Sequence, residues 1–321
     1  MMRPLAFIAA TVIIILIAVP MIEGAFLISH VTRILIYAIF AMSLDLLVGY
    51  CGLVSLGHAA FFGVAAYAAA LLAEKAGISN VLIGLPVSLL AAAAVAMVIG
   101  LLTLRMSGIY YIMATLAFAQ MLHFLVNDND YFGGSDGLLV LNRFRASLGD
   151  VVLLDLGNRA TRYYTVLIAA VATFVGLWFL VRSPFGRILQ GIKSNEQRMR
   201  ALGYRIGRYK LGCFVIGGTL AGLAGYFYVL LTSLADPSIF DWLQSAQVLM
   251  MVILGGLGTL IGPVAGAFLF IELIDQTAEL TEHWKLIIGL TIIATTLFVR
   301  GGLVGLASVL CARMFGTRAS A

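Results

Sequence analysis

The chain has 321 residues, 62% of them hydrophobic and 11% charged, and a formal net charge of +5; its mean hydropathy is +1.06. Soluble domains carry about 25% charged residues, so a water-soluble enzyme or binding domain is excluded. The ten-residue alternating segments of a transmembrane β-barrel are absent, and the positive charge sits in loops of the kind that face the cytoplasm, which gives no reason to invoke nucleic acid.

Apolar runs of ~20 residues are long enough to span a bilayer as helices. The expected fold is an all-α polytopic membrane protein of about ten transmembrane helices, at residues 5–22, 31–49, 54–73, 81–104, 108–126, 163–182, 209–232, 243–258, 260–276 and 285–300. Together they make a single transmembrane domain over 1–321. The first run exceeds the apolar core of a signal peptide and reads as an uncleaved span. Lysine and arginine in the short loops put Arg3, Arg105, the segment 182–210 and Arg300, Arg313 and Arg318 on the cytoplasmic side, with both termini inside. Glu23, Glu74, Asp236, Asp241, Glu279 and Glu282 collect on the other side. Segment 127–162, with Arg143, Arg145, Arg159 and Arg162 against five aspartates, is expected to be an ordered external loop. Cys51, Cys213 and Cys311 show no metal-ligand spacing and read as small buried residues.

Two spans are broken by glycine. GYCGLVSLGHAAFFG (49–63) carries Ser55, Gly57, His58 and Phe61, and GGLGTLIGPVAG (255–266) carries Gly255, Gly256, Gly258 and Thr259. Backbone freed by such breaks cannot face lipid and must be buried or line an aqueous path. Paired breaks in the halves 31–126 and 209–300 point to a substrate route between inverted repeats, while close helix packing through small residues is the plain alternative for each glycine.

Segment 182–210 carries 8 of the 20 basic residues and one acid, Glu196. Ser183 followed by Pro184 is a helix start, Ser194 with Gln197 fits a capping box, and Gly203 is a stop. Ile188, Leu189 and Ile192, then Met199 and Leu202, recur at helical spacing, so two short amphipathic helices are expected against the membrane. A plain basic loop is the alternative, although a tether has little need of two capped helices. Ionisable residues within spans each need a reason. Asp45, Glu272 and Asp275 lie near span ends, where interfacial placement explains them; His58 is expected to bond a freed carbonyl, and His123 is a second titratable base. No nucleophile–base pair, metal-ligand set or cofactor motif appears, and without a Gly-Lys dipeptide there is no phosphate-binding loop. Any ATP used would bind another subunit, and the basic helices are what such a subunit could grip.

These motifs together resemble the permease subunits of branched-chain amino acid ABC importers, the LivH/LivM family, and its LivM branch most closely. The resemblance runs from about Leu35 to Arg300, through LLVGYCGLVSLGHAAFFGVAAYAAALL (46–72), GGSDGL (133–138), the basic segment with the span after it (182–228) and ILGGLGTLIGPVAGAFL (253–269). It implies a permease of the bacterial inner membrane working with a second LivH-like permease, two cytosolic ABC ATPases and a periplasmic substrate-binding protein. Carried over, residues 187–203 would be the ATPase-coupling helices, with Arg187, Lys193, Glu196, Arg200, Leu202 and Gly203. Ser55, Gly57, His58, Phe61, Gly255, Gly256, Gly258 and Thr259 would flank the translocation path, and Gly133, Gly134, Ser135 and Asp136 would face the binding protein. The family more often has asparagine at the position of Asp45 and an aliphatic residue at that of Tyr204. Urea and short amides are the nearest alternative substrates. Rival readings are an ion-coupled secondary transporter using Asp45, His58 or Glu272, and a non-transporting membrane scaffold.

Overall fold

The computed structural model describes Leu16, Pro20, residues 24–298 except 143, 149, 150 and 282, and residues 301–303 and 305. Apart from Leu16 and Pro20, the first predicted span lies outside these, as do Arg3, Glu23, Arg143, Glu282, Arg300, Cys311, Arg313 and Arg318.

Eleven α-helices form among the described residues. Helix α1 (Ala25–Asp45) runs into a π-helical turn (Leu46–Cys51), followed by α2 (Ala59–Glu74), α3 (Val81–Thr103) and α4 (Ile109–Asn127). Next come α5 (Arg159–Arg182), α6 (Pro184–Ser194), α7 (Glu196–Ala201) and α8 (Ile206–Thr232). The chain continues with α9 (Trp242–Gly255), α10 (Ile261–Leu280) and α11 (Trp284–Phe298). Six helices are long and apolar enough to cross a membrane, namely α1 with its π turn, α3, α4, α5, α8 and α10; α2, α9 and α11 are shorter apolar helices. The chain is thus an all-α multi-pass membrane protein.

Side-chain caps set several helix starts. Asn80 accepts from Leu82 N at 3.1 Å and Asn158 from Ala160 N at 3.0 Å, which satisfies amide groups that have no partner within the helix.

Helix α8 is the central post, packed against α1, α2 and α3. Lipid tails are as apolar as leucine, so helices in a bilayer gain little from hiding apolar surface and associate through close contact of small residues. Helix α8 supplies these: a Cβ on Gly218 would come within 2.6 Å of Ala96, and one on Gly222 within 2.5 Å of Ala92. One on Gly225 would overlap the Phe62 carbonyl. Aromatic rings fill the remaining space, with Phe40 stacked on Phe62 at 4.6 Å and Phe61 edge-on to Phe214 at 5.3 Å. The outward faces of α3 and α4 leave large apolar side chains such as Leu90 and Tyr110 exposed, as lipid contact requires.

Within the predicted loop 127–162 the described residues form defined elements. Two 3-10 turns, Asp130–Phe132 and Gly134–Asp136, lead into β1 (Leu138–Leu139), which pairs antiparallel with β4 (Leu234–Ala235). Strands β2 (Arg145–Leu148) and β3 (Val151–Asp155) form a hairpin with an irregularity between Ala146 and Ser147. Glu74 Oε1 accepts from Leu141 N at 2.6 Å and Asn142 N at 2.9 Å, and Asn80 Nδ2 donates to the Ser147 carbonyl at 2.7 Å. This tether fixes the loop to the ends of the helix pair α2–α3.

Candidate functional site

Helices α6 and α7 follow from local chemistry. The Ser183 hydroxyl accepts from Gly186 N at 3.4 Å with Pro184 as the first helical residue, as expected. Gly186, Leu189 and Ile192 form the buried face of α6. The second cap differs from the sequence reading. Asn195, not Ser194, starts α7, its Oδ1 accepting from Arg198 N at 2.9 Å. Ser194 is still helical and turns its hydroxyl back to the Gly191 carbonyl at 2.9 Å, whereas Asn195 has the extended backbone that lets a short amide reach the free N–H groups. Gly203 ends the segment at φ +86, a left-handed conformation that favours glycine.

Glu196, the only acid of the segment, joins both flanks, with Oε1 3.2 Å from Arg200 Nη2 and Oε2 2.7 Å from Lys210 Nζ on α8. Arg187, Arg200, Leu202 and Gly203 are exposed, with Leu202 67% accessible.

Lys193 leads inward. Its ammonium donates to the Gly49 carbonyl at 2.6 Å, and its Cγ lies 3.1 Å from where a Cβ of Gly52 would stand. Gly49 lies in the π turn, and a Cβ there would be 2.6 Å from Gly258 N. That N–H donates at 2.8 Å to Oδ1 of the fully buried Asp45. The basic segment and both glycine-broken stretches therefore converge on one cluster: Lys193, Gly49, Asp45 and Gly258. Asp45 is thus buried inside the protein: its Oδ1 closes the turn after α9, while its Oδ2 has no hydrogen-bond partner among the described residues.

The turn itself is ordered. Thr259 Oγ1 donates to the Gly256 carbonyl at 2.8 Å and accepts from Gly262 N at 3.2 Å. Gly256 and Gly258 have φ of +119 and +75, and a Cβ at Gly255 would overlap the Gly262 carbonyl. Between the π turn and α2 the chain is irregular over residues 52–58. Gly57 N donates to Ser55 Oγ at 3.3 Å, and Ala59 N, at the start of α2, donates to Ser245 Oγ on α9 at 2.9 Å. A Cβ on Gly57 would overlap the Thr115 carbonyl of α4. Ser55, His58 and Phe61 are buried. His58 Nε2 is 2.9 Å from Ser43 Oγ and its ring stacks on Phe40 at 5.6 Å, so its partner is a hydroxyl and not the freed carbonyl expected.

Glu272 and Asp275 are likewise engaged. His30 Nε2 lies 2.7 Å from Glu272 Oε1 and His30 Nδ1 3.1 Å from Asp275 Oδ2, and Arg33 pairs with Asp275, locking the start of α1 to α10. His123 Nδ1 is 2.9 Å from the Pro237 carbonyl. On that same side Ser135 and Asp136 are exposed and Gly133 and Gly134 half-buried, at φ +92 and +59. Sequence reasoning missed Ser43, Ser245 and the reach of Lys193; the two serines were visible as hydroxyls in otherwise apolar runs.

A family described as "Branched-chain amino acid transport system / permease component" matches residues 26–296, from α1 into α11 and across every element of this site. The chain belongs to this family. Relatives include the "High-affinity branched-chain amino acid transport system permease protein LivM" of Escherichia coli, 28% identical over 279 residues, 80% of this chain and 65% of the relative. The protein of the same name from Salmonella typhimurium is 28% identical over 277 residues, with the same coverage. The chain thus spans somewhat under two thirds of the length of these relatives. An "Autoinducer 2 import system permease protein LsrC" from Photorhabdus laumondii is 28% identical over 141 residues, 41% of each chain. No solved structure matches. The family is one of membrane transport components.

Proposed function

We propose that this chain is the permease subunit of an ATP-driven importer for branched-chain or related amino acids in a bacterial inner membrane. The observation that carries the reading is the Lys193–Gly49 bond: an exposed, basic, amphipathic helix pair is joined to one glycine-broken stretch at Gly49, which abuts the other at Gly258. A cytosolic ATPase gripping Arg187, Glu196, Arg200, Leu202 and Gly203 would move α6, and Lys193 would pass that motion to the π turn and the Gly255–Thr259 turn. Ser55, Gly57, His58 and Phe61, just after the π turn, would flank the translocation path together with Gly255, Gly256, Gly258 and Thr259 and shift with it. The partners are a second LivH-like permease, two ATPases and a periplasmic binding protein docking at Gly133, Gly134, Ser135 and Asp136. The face with α6 and α7 is cytoplasmic, as are both termini, and the chain is one domain of ten spans.

An inverted repeat is supported by the packing pattern. Pairing α1 with α8, α2 with α9, α3 with α10 and α4 with α11 preserves the main contacts: α1 packs on α10 as α8 packs on α3, and α2 meets α8 as α9 meets α1. The adjacent pairs α2–α3 and α9–α10 correspond too. Exchanging two such halves is how alternating access is built in transporters with repeats.

The ion-coupled alternative would use Asp45, His58 or Glu272; each makes one tie to another part of the chain, and Asp45 Oδ2 and His58 Nδ1 have no partner among the described residues. The decisive experiment is affinity capture of the tagged chain from native membranes, with co-purifying subunits identified by mass. Two ATPase chains and a second permease are expected. A chain that captures no ATPase, under conditions that preserve other importers, refutes the proposal.

A further inference from the structure

Beside the coupling helices lies a cleft of whose lining the transport reading uses only Arg200. It encloses about 560 Å³ between the end of α3 and the junction of α7 with α8. Arg105, Arg200, Arg205 and Arg208 stand around it, and Leu101 and Leu104 line its floor. Of the four guanidinium groups only Arg200 has a carboxylate partner among the described residues, Glu196. Four like charges gathered on one cleft call for an anion, and arginine forks suit phosphate oxygens because two N–H groups can meet one phosphate. The floor narrows the choice. It continues onto the outward face of α3, where Val98, Leu101 and Leu102 are all more than half exposed. A soluble phosphate or nucleotide has nothing to place there, whereas an acyl chain does.

We propose that this cleft binds one anionic phospholipid, its phosphate held by Arg105, Arg205 and Arg208 and an acyl chain lying along Leu101 and Leu104 of α3. Basic pockets between spans at a membrane face are suited to such headgroups, and each arginine near the surface contributes a severalfold gain in affinity. The site borders the start of α8 and the α7 end of the coupling segment, so a bound lipid would brace that junction from the bilayer side.

The test is native mass spectrometry of the purified chain after exchange into detergent with phosphatidylglycerol or phosphatidylcholine. Retention of phosphatidylglycerol is expected to exceed that of phosphatidylcholine by roughly tenfold or more, and the double variant Arg105→Gln with Arg208→Gln should remove the preference. Replacing both by lysine should keep much of it. Leu104→Asp, which leaves every arginine in place but puts an anion on the floor, should also expel the lipid, so a misfolded double variant does not decide the matter alone. Equal retention of the two lipids overturns the proposal, as does an unchanged preference in a folded double variant. Displacement of the lipid by millimolar inorganic phosphate would assign the cleft to a soluble anion instead. Loss of ATPase capture with lipid retention intact would assign it to the protein partner.

Discussion

Replacing Lys193 by methionine keeps the stem that packs against Gly52 and removes only the ammonium that donates to the Gly49 carbonyl at 2.6 Å. A hydrogen bond to a charged group contributes about 1.5–3 kcal/mol. Lys193 lies on an exposed stretch of α6, so the lower end applies, ~1.5 kcal/mol or roughly tenfold in the equilibrium it biases. If that bond transmits α6 motion to the π turn, the loss falls on coupling and not on assembly. The assay is uptake into proteoliposomes holding the complete importer, with ATP hydrolysis measured in the same vesicles. Substrate moved per ATP should drop roughly tenfold in Lys193→Met while hydrolysis continues. An unchanged ratio of uptake to hydrolysis would refute the transmission route and leave the contact as a local brace.

Three further substitutions probe the surrounding structure. Asp45→Asn keeps an acceptor for Gly258 N–H and should retain uptake, while Asp45→Ala strands a buried donor at a cost of about 1–3 kcal/mol, read as a lower melting temperature; abolished uptake in a stable Asp45→Asn chain would favour ion coupling. Gly225→Ala places a methyl on the Phe62 carbonyl and should cost about 1–3 kcal/mol by prying α8 from α2, whereas Gly176→Ala, inside α5 with nothing nearby, should be unchanged or stabilised by up to about 1 kcal/mol in the same thermal assay. Ser183→Ala removes the α6 cap and should cost ~1 kcal/mol, seen as faster amide exchange over 184–188 with little effect elsewhere.

Much of this architecture could be read in advance because the dominant signals are local. Long apolar runs located nine helices among the described residues, and the start at Ser183 and stop at Gly203 depend on residues within one turn. The cap at 194–195 was ambiguous because serine and asparagine are both good caps and only the backbone conformation separates them. The contact of Asp45 was hidden for a different reason: its partner Gly258 lies 213 positions away, and no periodicity reports such a pairing. The same holds for His58, whose hydroxyl partner sits on the preceding helix. Glycines were visible as breaks, but which of them meets a neighbouring carbonyl depends on how closely two helices approach.

The irregular backbone before α2 also bears on how the chain is made. The first N–H of α2 finds its acceptor in Ser245, 186 residues later, and the π turn meets the Gly258 turn later still. During synthesis the amino-terminal half must therefore enter the bilayer with its broken span incomplete. Either that span waits near the insertion machinery, where water is at hand, or it enters provisionally and is rebuilt when α9 arrives. The permease thus has an assembly order in which its last third completes its first, and a nascent chain cut off before Ser245 should be a preferred target for membrane quality-control proteases.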